Sequence, residues 1–69
     1  MKTDFDLGEQ VRQELQREGR VEAGAISVVV DDGVVILSGC VASAGQREAA
    51  RRVALRVSGV QDLANEIRV

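Results

Sequence analysis

Apolar residues alternate with a period of two in the middle of the chain. Ile26, Val28 and Val30 are separated by Ser27 and Val29, and Val35 and Leu37 by Val34, Ile36 and Ser38. That period is the signature of strands, whose successive side chains point to opposite faces. Asp32-Gly33 divides the two runs. Asp-Gly is a preferred two-residue type I′ hairpin turn, because both residues must adopt positive φ. With those two residues as the loop, Asp31 pairs with Val34. The ladder then continues Val30–Val35, Val29–Ile36, Val28–Leu37, Ser27–Ser38 and Ile26–Gly39. One face of this hairpin carries Ile26, Val28, Val30, Val35 and Leu37, and is the core face. The other carries Ser27, Val29, Val34, Ile36 and Ser38, with Asp31 at its rim. Its centre is apolar.

A period near four appears on either side of the hairpin. Leu7, Val11 and Leu15 form one helical stripe. Asp6-Leu7-Gly8-Glu9 has capping-box spacing, with Asp6 as N-cap and Glu9 reaching back. Gly19 fits a C-cap, so the spacing predicts a helix over about 7–18. Downstream, Ala50, Val53, Ala54 and Val57 follow the i, i+3, i+4, i+7 pattern. Ser43 and Gln46 form a second capping-box candidate, and Gly59 ends the element. Val60, Leu63, Ile67 and Val69 predict a last strand over about 63–69. Asn65 shares parity with Ile67, so it faces inward and needs a backbone partner, because an unpaired buried amide is costly.

The predicted order is αββαβ. Both helices need an apolar sheet face, and only one face is fully apolar. The expected fold is therefore α+β: a two-layer αββαβ sandwich with two helices on one face of a three-stranded mixed sheet. The second strand, the most apolar, lies in the middle. It is antiparallel to the first and joined to the third by a parallel crossover. Residues 1–6 form a short tail, and 7–69 the domain.

Composition narrows the function more than it names one. The chain has 69 residues, 45% of them apolar, with Phe5 as its only aromatic and no His. A domain this small buries only about 60% of its unfolded surface, leaving little room for a catalytic cleft. Base stacking, which needs aromatic rings, is excluded, and the net charge of −2 argues against nucleic acid. No metal site or cofactor is expected: Cys40 and carboxylates are a poor ligand set without histidine. Asp31 and Asp32 are adjacent, but they sit at a hairpin tip, where solvated turn residues belong. Cys40, the only cysteine, reads as a small half-buried hydrophobe; the alternative is an intermolecular bridge or a reactive thiol. The start, MKTDFDLGEQ, lacks the apolar core of a signal peptide, and no run approaches the ~20 residues of a membrane span. As written the chain is expected in the cytoplasm, or in the periplasm if it is a domain of an exported protein.

Three glycines have structural readings. Gly33 supplies positive φ in the turn. Gly39, opposite Ile26, leaves space for a helix to approach. Gly59 suits a left-handed helix cap.

The spaced Ile26-x-Val28-x-Val30, the run Gly33-Val34-Val35-x-Leu37-x-Gly39-x-Val41, then Arg47, Ala50 and Val57, and finally Gly59-Val60 and Asn65-x-Ile67-x-Val69, together resemble the BON domain. This small bacterial module occurs in osmotic-stress and nodulation-related proteins. The resemblance covers about residues 7–69. It implies the same αββαβ fold and a non-enzymatic binding role, for several members at phospholipid or the cell envelope. It implies no catalytic residue.

Two surfaces are candidate sites. On the second helix, at 100° per residue, Arg47, Arg51, Arg52, Leu55 and Arg56 fall on one broad outer arc. Residues 46–57 hold four Arg against Glu48 alone, a local charge of +3, and the rest of the chain carries −5. Such a face suits anionic phospholipid or another acidic surface; the plainer alternative is a solvated face with one stray Leu. The second surface is Val29, Val34 and Ile36 on the bare sheet face. It suits self-association or contact with a neighbouring domain, or it reflects strand propensity alone.

Overall fold

The Asp32-Gly33 turn has the conformation its sequence calls for: φ is 51° at Asp32 and 84° at Gly33. The structure, a computed structural model, describes residues 3–69. Its elements are α1 (Asp4–Arg17), a 3-10 turn (Ala23–Ala25), β1 (Ile26–Asp31), β2 (Val34–Cys40), α2 (Ala44–Leu55) and β3 (Asp62–Arg68). All six predicted β1–β2 pairs, from Asp31–Val34 to Ile26–Gly39, are present. The strands are ordered β1-β2-β3, with β1 antiparallel and β3 parallel to β2. The fold is the α+β arrangement expected, with two helices and a three-stranded mixed sheet.

Parity then decides what is buried. Val28, Val35, Leu37 and Ile67 point to the core face, where they meet Leu7, Val11 and Leu15 of α1 and Ala49, Ala50, Val53 and Ala54 of α2. α1 lies against β1, α2 against β3, and the two helices touch each other. Small side chains permit close approach: a Cβ on Gly8 of α1 would already stand 3.4 Å from Val30 Cγ2. Asn65 is half-buried, and its Oδ1 accepts the Ile67 N–H at 3.2 Å, the backbone bond that its inward position demands.

The helix ends differ from the sequence expectation. α1 begins at Asp4 rather than 7, because Thr3 is the N-cap. Thr3 Oγ1 accepts the Asp6 N–H at 3.1 Å, and Asp6 Oδ2 accepts the Thr3 N–H. Thr3-x-x-Asp6 and Asp6-x-x-Glu9 have the same spacing; Asp6 serves as the third residue of the earlier box, not as the cap of the later one. Residues 4–6, expected in a tail, are therefore helical, while 1–2 of that tail lie outside the described residues. The C-cap is Glu18 in an extended conformation, so Gly19 is not a left-handed cap. In α2, Ser43 caps as expected, accepting the Gln46 N–H. Gln46 Oε1, however, accepts from Ala42 N–H rather than from the Ser43 backbone. α2 stops at Leu55. Val57 is buried but lies beyond the helix, whose C-cap is Arg56; Gly59, at φ 102°, is left-handed in the turn that follows and is not the helix cap.

Two loop contacts fasten the sheet, and neither was visible as a pattern. Asp4, in the first turn of α1, accepts the Asp32 N–H (2.8 Å) and the Gly33 N–H (3.1 Å), so one carboxylate ties the helix start to the hairpin tip. At the opposite end, Gly39 has φ 125°, and a Cβ there would stand 2.1 Å from Ala25 O. The space at Gly39 is thus filled by the backbone of the 3-10 turn feeding β1, not by a helix. Cys40 next to it is exposed, not half-buried.

Gly39→Ala combines positive φ with a collision against backbone that cannot swing aside. It is expected to lower unfolding free energy by roughly 3 kcal/mol or more, measured as a shift of the urea midpoint. Asp4→Ala removes two exposed hydrogen bonds to a charged acceptor and is expected to cost about 1–2 kcal/mol by the same measurement. A neutral result for Asp4→Ala means that the hairpin tip holds its shape without the helix.

Candidate functional site

The outer arc of α2 is where the sequence placed a binding surface, and the structure separates its members. Arg47 is exposed in the first turn. Arg51, one turn on, is committed to Glu48. Its Nε donates to Glu48 Oε1 (3.0 Å) and Oε2 (3.1 Å), and its Nη2 donates to Oε1 as well. This i, i+3 pair neutralises itself. The Arg51 hydrogen bond, helped by the fields of Arg51, Arg52 and Arg47, holds the Glu48 carboxyl below its ordinary range, and the same bond raises Arg51.

Arg52, Leu55 and Arg56 come together with residues outside the helix. They line a shallow groove of about 440 Å³ with Ala49, Glu18 and Arg20. Leu55 is 46% exposed in it. None of the three salt bridges among the described residues involves Arg20, Arg47, Arg52 or Arg56. The groove therefore holds three uncommitted guanidinium groups against one carboxylate, around an apolar side chain. Helical periodicity could not reveal Arg20, which reaches this groove from the loop after α1. Its loop position gave no periodic signal, and only the packing of that loop against α2 joins them.

The second candidate surface is the sheet face away from the helices. Val29, Ile36 and Ala64 form one row across the three strands. Val29 is 52% exposed, while Val34, Ile36 and Ala64 are partly covered. Asp31 and Asp62 flank Val34 at one end; Glu66 and Arg68 border the other. At the β1 edge of this sheet, Arg12 Nη2 donates to Val28 O (2.9 Å), and Phe5, 74% exposed, lines a hollow with Val28, Val29 and Val30.

Among the described residues no three His, Cys, Asp or Glu side chains cluster as metal ligands, and no helix is long and apolar enough to cross a membrane. What both surfaces offer is shallow contact area with charge around an apolar centre.

A family model for the BON domain matches residues 3–69, essentially the whole described chain. The chain belongs to the BON-domain family. BON domains are associated with phospholipid binding and are generally not enzymatic. No curated protein matches the sequence significantly. The family match begins at Thr3, the residue that caps α1, so α1 belongs to the BON domain from its cap onward.

The Glu48–Arg51 pair gives a test of how the arc's charge is divided. Glu48 has a depressed folded-state pKa, so its contribution to stability is present above its unfolded pKa and fades as pH falls through the folded value. In an NMR pH titration the Glu48 carboxyl is expected to titrate at lower pH in wild type than in Arg51→Gln. Identical titration curves mean that Arg51 is solvated and belongs with the free cations.

Proposed function

We propose that this BON domain is a non-enzymatic module that adsorbs to anionic phospholipid surfaces through the outer face of α2. Arg52, Arg56 and Arg20 supply the charge around Leu55; Arg47 extends the basic strip, and Arg51 contributes little because Glu48 neutralises it. The observation that carries this reading is the convergence of three unpaired guanidinium groups on a half-exposed leucine. Guanidinium forks match phosphate geometry, and an apolar side chain between them can enter the headgroup boundary. The family's association with phospholipid supports the same reading. The domain would thus lie on a membrane rather than in it, and act as a contact module in a stress-related, envelope-facing protein.

Each cation close to an anionic surface contributes about 1 kcal/mol, screened by salt, whereas the leucine's contribution is not screened. Arg52→Gln with Arg56→Gln is therefore expected to lower partitioning onto phosphatidylglycerol-containing vesicles by roughly 30-fold at low salt, with far less effect in concentrated salt. Leu55→Ser is expected to weaken binding at every salt concentration. Co-sedimentation checks both. Equal sedimentation of the wild type with neutral and with anionic vesicles, or with neither, contradicts the reading.

A further inference from the structure

The open sheet face and the outer face of α2 are opposite in charge. On the sheet, Asp31, Asp62 and Glu66 are exposed around the apolar row Val29–Ile36–Ala64, with Arg68 as the only cation of the three strands on that face among the described residues. Its net charge is −2 (three carboxylates, one guanidinium). The α2 arc over 46–57 is +3 and carries its own half-exposed apolar side chain, Leu55. The sizes also match. A helix of 12 residues is about 18 Å long, and strands of seven residues are about 23 Å long.

We infer that the open sheet face of one copy takes the α2 outer face of a second copy. The contact is heterologous: helix on sheet, not sheet on sheet. Leu55 meets the Val29–Ile36–Ala64 row, while Arg52 and Arg56 reach Asp31, Asp62 and Glu66. The incoming helix covers the bare face much as the chain's own helices cover the other, making a local helix–sheet–helix sandwich. Two sheet faces docked on each other would instead bring like charges together. The footprint, roughly 14 Å by 23 Å from strand spacing and length, is well below the ~800 Å² that each partner gives in a stable complex. The contact is accordingly weak, and charge complementarity decides whether it forms. Because each copy keeps one unused helix face and one unused sheet face, contacts of this kind propagate into short chains rather than closing as a two-fold dimer. Self-docking and lipid adsorption use the same face of α2, so a copy engaged in one is unavailable for the other.

Sedimentation velocity of the full chain tests this without lipid, so its outcome is independent of the membrane reading. The buffer is reducing, which keeps the exposed Cys40 from forming a disulfide. At about 1 mM protein and ~20 mM salt, where the Debye length is about 20 Å, the wild-type mass is expected to rise with concentration past the dimer. At about 0.5 M salt it falls to the monomer. A helix-face variant, Arg52→Glu with Arg56→Glu, and a sheet-face variant, Asp31→Arg with Asp62→Arg, are each expected to stay monomeric alone. Mixed in equal amounts they are expected to associate again, because the mixture offers an intact helix face to an intact sheet face and a reversed, acidic helix face to a reversed, basic sheet face. If a reversal unfolds the chain, the milder pairs Arg52→Gln with Arg56→Gln, and Asp62→Asn with Glu66→Gln, are expected to weaken association at least about tenfold. The inference is overturned by a wild type that stays monomeric at low salt, by a helix-face variant that still dimerises, or by a mixture that stays monomeric.

Discussion

Two residues in left-handed backbone, Asp32 and Gly33, set the position of every side chain on the first two strands. A two-residue turn of this kind allows only one pairing of the flanking strands, and a slip of one residue would send each side chain to the opposite face. With Asp31 opposite Val34, the residues Ile26, Val28, Val35 and Leu37 share a face, and that face is the one the helices cover. The turn is also anchored from outside itself. The Asp4 carboxylate takes both its N–H groups, and the Gln61 N–H donates to Gly33 O (3.0 Å), so the hairpin tip is held by the start of α1 and the approach to β3. A small domain with a modest core gains from such cross-ties, because each one limits how the layers can shift.

The same register that fills the core leaves Val29 half exposed and Val34 and Ile36 only partly covered, and among the described residues no third layer lies over them. α2 divides its circumference cleanly: Ala49, Ala50, Val53 and Ala54 are buried, and the opposite side carries arginines. Using alanines on the inner side draws the helix close to the sheet and leaves the long, charged side chains free to extend outward. The uneven charge of the chain, positive on this arc and negative elsewhere, gives a molecule of net charge −2 a surface that can still attract anions.

The hairpin register was legible because the period-two pattern and the Asp-Gly turn each restrict the pairing and agree. The mixed sheet and the helix faces followed from needing to cover one apolar face. Helix ends were less legible. Two overlapping cap spacings compete at Thr3 and Asp6, and sequence spacing cannot rank them. The 3-10 turn at Ala23–Ala25 has no periodicity, so the reason for glycine at 39 could not be read: its space is taken by a carbonyl from a segment that carries no pattern. The candidate site was half legible. The α2 arc follows from a 100° rotation per residue, but the commitment of Arg51 to Glu48 depends on rotamers, and Arg20 arrives through the packing of a loop. Lone charges outside periodic segments are the part of a binding surface that sequence reading misses.

The claim that the basic side of α2 is the membrane-facing side can be tested residue by residue. Anionic vesicles carrying a nitroxide on the lipid headgroup broaden the amide signals of whatever lies nearest the bilayer. Broadening centred on Arg52, Leu55 and Arg56 of α2, with Arg20 affected and Val29, Ile36 and Ala64 spared, is the expected result. Broadening centred on the open sheet face or the Asp32-Gly33 tip, or spread evenly over the chain, would contradict the account.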